Sequence, residues 1–289
     1  MANGYRVNRF GGPEVMVWEA LSLGDLAPQS VRVRVEASGI NFAEVRMRAG
    51  DYSGQELPFI RGMEVAGTIE QVGSEVVDWQ VGDRVFGRAR GAHAEVVDCD
   101  PNHLMPLPAN LSFEQGAAIP VGWLTAWHAL YTVGGMKAGD RVLIEAVGGS
   151  VGSAALALAK QAGCWTLGTA SRDDKLTRAT ANGCDAVVNY TQASVSESVV
   201  DLTNGEGMDI GLMTIGDATA DQLIDAMGMD GRVVMFGSTG GRDITFNLRI
   251  GILNIQLLSM SISTSPAFMT QTMPDFRQYA LPLFASGDL

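Results

Sequence analysis

The sequence predicts an α/β chain in two parts, an antiparallel β unit followed by a doubly wound parallel sheet. Two observations carry this. From Tyr5 to about Ala117 the texture is short alternating runs broken by glycine, which marks antiparallel strands in a barrel or sandwich. From Gly139 onward strand-like and helix-like runs alternate, as the βα units of a parallel sheet do.

In the first part, Val31 to Val35 alternates apolar and charged residues with period two, as a half-buried strand should. Further strands are predicted over Gly62 to Gly67, Thr68 to Val72, Val81 to Gly87 and Ala94 to Val97. The character changes at Ser112. This serine precedes Phe113 to Ala118, with Glu114 in the first turn, and predicts an N-capped helix leading out of the β unit. In the second part, strands are predicted over Val142–Ala146, Trp165–Ala170, Ala186–Tyr190, Ile210–Ile215 and Arg232–Phe236. Helices fall between them over Val151–Ala162, Asp173–Ala181, Ser194–Thr203 and Ala218–Met227. Leu257 to Ser263 alternates again and reads as an edge strand.

Composition excludes several function classes. The 289 residues are 46% hydrophobic and 18% charged, which describes a globular protein with a sizeable core. The net charge of −12 comes with scattered basic residues, so no nucleic-acid footprint is expected. No window reaches the ~18 unbroken apolar residues of a membrane span; Ile250 to Ile262 is interrupted by Asn254 and Gln256. The first ten residues lack the apolar core of a secretory signal. Three cysteines, Cys99, Cys164 and Cys184, read as reduced thiols of a cytoplasmic protein.

The stretch that organises the second part is Arg141 to Gly163. The apolar run Val142-Leu143-Ile144 is followed by Gly148, Gly149 and Gly152, then by an alanine- and leucine-rich run. Ala146, Gly149 and Gly152 have the spacing A-x-x-G-x-x-G. Between a strand and a helix this turn brings backbone close to a pyrophosphate and aims helix amides at its charge. Where the next strand ends, an Asp or Glu would hold a ribose 2′-hydroxyl and repel a 2′-phosphate. This chain has Ala170-Ser171-Arg172-Asp173-Asp174-Lys175 there. Ser171, Arg172 and Lys175 suit a 2′-phosphate, hence NADPH. The same residues also read as a capping serine and ordinary helix charges.

Several runs then resemble the quinone oxidoreductase and enoyl reductase-like, zinc-independent branch of the medium-chain dehydrogenase/reductase superfamily. They are Gly39-Ile40-Asn41-Phe42, Gly50-Asp51-Tyr52, Pro58 to Gly67, Gly82 to Val85, Leu107-Pro108, Leu124 to Leu130, the glycine turn and Asn189-Tyr190. The resemblance implies a GroES-like substrate domain over 1–117 and a Rossmann NADPH-binding domain over 118–263. Residues 264–289 would then begin a return to the first domain. Relatives continue beyond the equivalent of Gly287, so the end at Leu289 reads as a shortened return. The resemblance also implies a homodimer through the edge strand, and a site in the cleft between the two domains.

Zinc alcohol dehydrogenases carry Cys and His where this chain has Asn41 and Met63. An amide and a thioether are poor replacements for thiolate and imidazole at Zn²⁺, so no metal is expected. Without a Lewis acid the favoured acceptors spread negative charge themselves: quinones, and alkenes conjugated to a carbonyl. By resemblance, Asn41 and Tyr52 lie near the nicotinamide and this electron-deficient small molecule. Arg46 has two readings, a fixed cation for a developing oxyanion or a solvated charge on a helix face. Thr125, Gly237 and Ser238 would line the nicotinamide side. Gly149, Ser150, Val151 and Gly152 would meet the pyrophosphate, and Tyr190 would lie by the 2′-phosphate. Arg61, His93 and Glu145 depart from the family pattern. The alternatives are an alcohol dehydrogenase of the same superfamily and a catalytically idle NADPH-binding protein.

Overall fold

A computed structural model of the chain describes residues 2–52, 55–241 and 243–289. The chain divides into two units. One runs to Val121 and takes back Arg277–Leu289; the other is Gly122–Phe276.

The first unit opens with an antiparallel hairpin, β1 (Ala2–Val7) and β2 (Met16–Leu21), with β4 (Phe59–Ile60) on the other side of β1. A five-stranded sheet has the order β7-β3-β5-β6-β8. Its strands are β3 (Val31–Ala37), β5 (Glu64–Val72), β6 (Arg84–Arg88), β7 (Val96–Cys99) and β8 (Leu104–Pro106), all pairs antiparallel. Val31 and Val33 face inward with Val65, Ile69, Val85, Val97 and Leu104, which is the period-two pattern realised. Helix α1 (Phe42–Ala49) sits between β3 and β4 in the chain, and α2 (Phe113–Ala117) follows β8. Ser112 caps α2 reciprocally: its Oγ accepts from Gln115 N, and Ser112 N donates to the Gln115 side chain. The final residues are held here by Arg277, which donates to the carbonyls of Asn102 and Leu104, and by Asn110, which donates to Phe284 O.

Three strand expectations shift. Gly62 to Val72 is one strand from Glu64, not two, because Gly67 lets β5 pass close to the Arg34 carbonyl of β3. The Val81 run starts as a turn, and β6 begins at Arg84. The strand placed at Ala94–Val97 lies at Val96–Cys99.

The second unit begins within α3 (Pro120–Trp127), which continues as a π-helical segment to Val133. Its strands are β9 (Arg141–Ile144), β10 (Trp165–Ala170), β11 (Ala186–Asn189), β12 (Met208–Met213), β13 (Met227–Met235) and β14 (Gln256–Ser259). They alternate with α4 (Ser150–Gln161), α5 (Asp173–Ala181), α6 (Val195–Leu202), α7 (Asp217–Ala226) and α8 (Arg249–Ile252). The order is β11-β10-β9-β12-β13-β14, every pair parallel. Leu143, Leu167, Val199, Met213, Leu223, Ile224 and Val233 pack in its core. The edge strand is shorter than the sequence suggests: it ends at Ser259, not Ser263.

Cys99, Cys164 and Cys184 are buried and unpaired with one another. Burial pushes all three thiols up, that of Cys99 to about 12.

Candidate active site

In the second unit the topology locates the site. The chain passes from β9 to β10 and β11 on one side, then crosses to β12, β13 and β14 on the other. The strand order therefore reverses between β9 and β12, the place where open parallel sheets bind ligands beyond their carboxyl ends. The glycine turn follows β9 at that point.

The turn is shaped for close backbone approach. Ala146 adopts φ +51°, a left-handed conformation that costs a residue with a side chain of order 1 kcal/mol or more. Its carbonyl accepts from Gly149 N at 2.8 Å. A Cβ on Gly152 would sit 2.4 Å from that same carbonyl oxygen, so only glycine lets α4 start this close to β9. Ser153 N and Oγ both donate to Gly149 O. The first-turn amides of Ser150, Val151 and Gly152 have no acceptor four residues back, so they stand open to an anion at the positive end of α4. Ser150 Oγ lies against the Cα of Gly122 in α3. Thr125, one helical turn on, shares that face of α3.

At the end of β10 the charges sort themselves. Arg172 Nε and Nη2 grip both oxygens of Asp174 at 2.9 and 3.1 Å. Asp173 Oδ1 accepts from Asn189 Nδ2 at 2.7 Å. Lys175 lays its methylenes beside Gly148, where a Cβ would come within 2.7 Å of the Lys175 Cβ. Among the described residues no carboxylate lies within ion-pair distance of its amine. Ser171 is exposed, and Tyr190 N donates to Ala170 O. Ser171, Arg172, Lys175 and Tyr190 thus cluster at one strand end, with Arg172 committed to its neighbour and Lys175 open.

The loops after β12 and β13 lie against each other. Gly240 N donates to Ile215 O at 2.7 Å, and a Cβ on Gly237 would meet Thr214 O at 2.4 Å. Ser238 follows in the same loop.

In the first unit Asn41 caps α1. Its backbone N–H donates to Glu44 Oε2 at 2.7 Å, the return half of an N-x-x-E capping box. Its Nδ2 donates to Glu64 Oε1 at 2.7 Å and to Glu44 Oε2 at 3.4 Å. Both amide protons are therefore claimed, and Oδ1 is left as the acceptor. Glu64 is buried and also accepts from Val121 N at 2.8 Å. Burial raises its carboxyl, more than those two donors lower it. His93 Nε2 is 2.9 Å from Gly39 O and 3.7 Å from Glu44 Oε1. Arg61 is buried with Nη1 against Met16 Sδ.

Arg46 lies at the other end of α1, five residues or roughly 7.5 Å along the axis from Asn41. Its Nε stands 3.2 Å from Asp51 Oδ2. Tyr52 is 49% exposed. Glu44, Glu64 and the turn residue Glu145 were not singled out as site residues from sequence. The Asn41-x-x-Glu44 spacing could have revealed the first; the other two find partners 23 to 74 residues away. Among the described residues no three His, Cys, Asp or Glu side chains gather as a metal ion would require, and no helix is long and apolar enough to cross a membrane.

Two family models match the chain: the alcohol dehydrogenase GroES-like domain over residues 27–109 and the zinc-binding dehydrogenase over residues 150–286. The quinone oxidoreductase of Pseudomonas aeruginosa is 33% identical over 252 residues, covering 86% of this chain and 78% of that protein. The human quinone oxidoreductase is 31% identical over 292 residues, covering 98% and 85%. The Pseudomonas syringae pv. tomato quinone oxidoreductase structure superposes with TM-score 0.91 at 31% identity, covering 100% of this chain and 90% of that one. An Escherichia coli quinone oxidoreductase structure in complex with NADPH gives TM-score 0.87 at 30% identity, covering 99% and 89%.

Proposed function

Because the chain belongs to the quinone oxidoreductase branch of the medium-chain dehydrogenase/reductase superfamily, we propose that it is a zinc-independent, NADPH-dependent reductase of quinones or α,β-unsaturated carbonyl compounds. The carrying observation is the end of β10. Both aspartates there are engaged within the protein, and Lys175 stands open beside the glycine turn. That environment favours a 2′-phosphate over a bare 2′-hydroxyl.

The open amides of Ser150, Val151 and Gly152 fit a pyrophosphate, and Lys175 with Ser171 fits the 2′-phosphate. Thr125, Gly237 and Ser238 would border the nicotinamide. NADPH, when bound, supplies the hydride. Asn41 presents Oδ1 as an acceptor, which suits an amide N–H or a hydroxyl and not an oxyanion. The Arg46 guanidinium, biased by Asp51, and the exposed Tyr52 hydroxyl are the donors offered to an acceptor oxygen. Asn41 and Met63 stand where zinc enzymes of the superfamily place metal ligands, and both are weak zinc ligands. A quinone or enone delocalises the charge it receives, so it needs no Lewis acid.

NADPH oxidation is measured against a panel of quinones, enones and simple ketones, with zinc content determined in parallel. Turnover of quinones or enones by zinc-free protein is the expected result. About one zinc per chain with turnover of alcohols would establish an alcohol dehydrogenase. Tight NADPH binding with no turnover anywhere would establish an idle binding protein.

The reading extends to assembly and location. β14 pairs only with β13 and leaves its other edge unpaired among the described strands, which supports a two-fold homodimer through that edge. Light scattering at high concentration should give twice the chain mass; a monomer overturns it. Three unpaired buried thiols support a cytoplasmic location.

A further inference from the structure

Glu145 follows β9 directly and is 3% exposed. Its Oε2 accepts from Thr214 N at 2.7 Å and Ile215 N at 2.9 Å, and its Oε1 accepts from Thr219 Oγ1 at 2.5 Å. Among the described residues no cation pairs with it. A buried carboxyl without a cation is expensive, and an apolar residue would pack the same space at lower cost. Burial raises this carboxyl, and three donors work against that rise.

What the carboxyl does is set the direction of two peptide groups. With the Thr214 and Ile215 N–H groups drawn toward Glu145, the carbonyls of the same two peptide groups, Met213 O and Thr214 O, face β13 and the loop after it. Met213 O takes Phe236 N at 3.2 Å, and Thr214 O is the atom that only a glycine at 237 can approach; Ile215 O, in the next peptide group, takes Gly240 N at 2.7 Å. Gly216, at φ +89°, closes the same contact against Gly241 O. One carboxyl at the mouth of the pyrophosphate turn thereby governs, through one loop, where Gly237 and Ser238 stand. The backbone link runs β9 turn, β12 loop, β13 loop.

We propose that Glu145 is a positioning residue for the nicotinamide half of the cofactor, an inference that rests on the NADPH reading above. The hydrogen bonds of its carboxyl all run to the loop after β12 and to α7; of the proposed adenosine site only Tyr190 borders the same small cavity. Its removal should therefore loosen the grip on the nicotinamide end and leave the adenine end intact. Glu145→Gln keeps one oxygen for the two amides, and the Thr219 hydroxyl can turn to accept from the new NH₂. Glu145→Leu keeps the bulk and orphans both amides.

The test measures dissociation constants of NADPH and of 2′,5′-ADP, which carries only the adenine end, by calorimetry. For Glu145→Leu the NADPH constant should rise about tenfold, the cost of ordering on binding a loop that the free protein no longer holds in place, with that for 2′,5′-ADP unchanged. Glu145→Gln should stay near wild type for both. Hydrogen exchange of the ligand-free protein should quicken at residues 214–216 and 237–241 in the leucine variant alone. If Glu145→Leu does not fold, Glu145→Asp serves, since a shorter carboxylate withdraws from the amides without becoming apolar. Equal losses for both ligands, or no loss of NADPH, overturn the proposal. A wild-type protein that binds neither ligand overturns the cofactor reading instead, and this inference with it.

Discussion

Asn189 holds Asp173: its Nδ2 donates to the Asp173 carboxylate at 2.7 Å, while its own Oδ1 takes Thr191 N and Oγ1. The aspartate that would discourage a 2′-phosphate is thereby turned into a clasp between α5 and the end of β11. Lys175 remains the uncommitted cation. Lys175→Ala should weaken NADPH about tenfold, the loss of one partly solvated charge-assisted hydrogen bond, and NADH by less than about twofold. Fluorescence titration with both nucleotides reads the ratio. Equal weakening of the two would remove Lys175 from the 2′ site.

The left-handed Ala146 makes a stability prediction. A glycine there removes the Cβ penalty, and the turn already carries glycines at 148, 149 and 152. Ala146→Gly should gain about 0.5–1 kcal/mol, seen as a rise of roughly 1–2 °C in thermal midpoint. A drop in midpoint would show that the residue is not strained.

Glu64 carries a pH dependence whose sign follows from burial. Its carboxyl is raised by burial, with Glu44 adding to the rise, above the ordinary value of 4.5. The folded state therefore holds that proton more tightly than the unfolded chain. This contribution to stability is fully present below 4.5 and is lost as pH climbs through the raised folded value. Glu64→Gln is uncharged throughout and lacks that slope. Denaturant midpoints should show the variant gaining on wild type between pH 4.5 and 7.5; a variant-minus-wild-type difference that stays constant or falls refutes the assignment.

Much of this was legible in the residues. Trp165–Ala170 and Asp173–Ala181 occur as strand and helix where their patterns place them, and Ser112 caps α2 as its spacing predicts. Local patterns fail where a distant chain decides. Gly67 reads as a break but permits a strand crossing. The β1–β2 hairpin is local in its pairing but carries no period-two signal, because β2 leaves both Val17 and Trp18 exposed. Arg172 and Lys175 look equivalent in sequence, yet a carboxylate two residues away occupies only the first. Glu145 and Glu64 gave no local signal, because their donors come from segments that only the fold brings near.

The buried cysteines carry a chemical consequence. Quinones and enones are alkylating agents, and thiolates are their preferred targets. Cys99, Cys164 and Cys184 are each less than a tenth exposed, and their thiols are biased against ionisation. The native protein should resist iodoacetamide and benzoquinone, and mass spectrometry should find three adducts only after unfolding. Under the proposed activity, a protein so built resists arylation by the acceptors it would reduce, at concentrations that would inactivate one with an exposed thiolate.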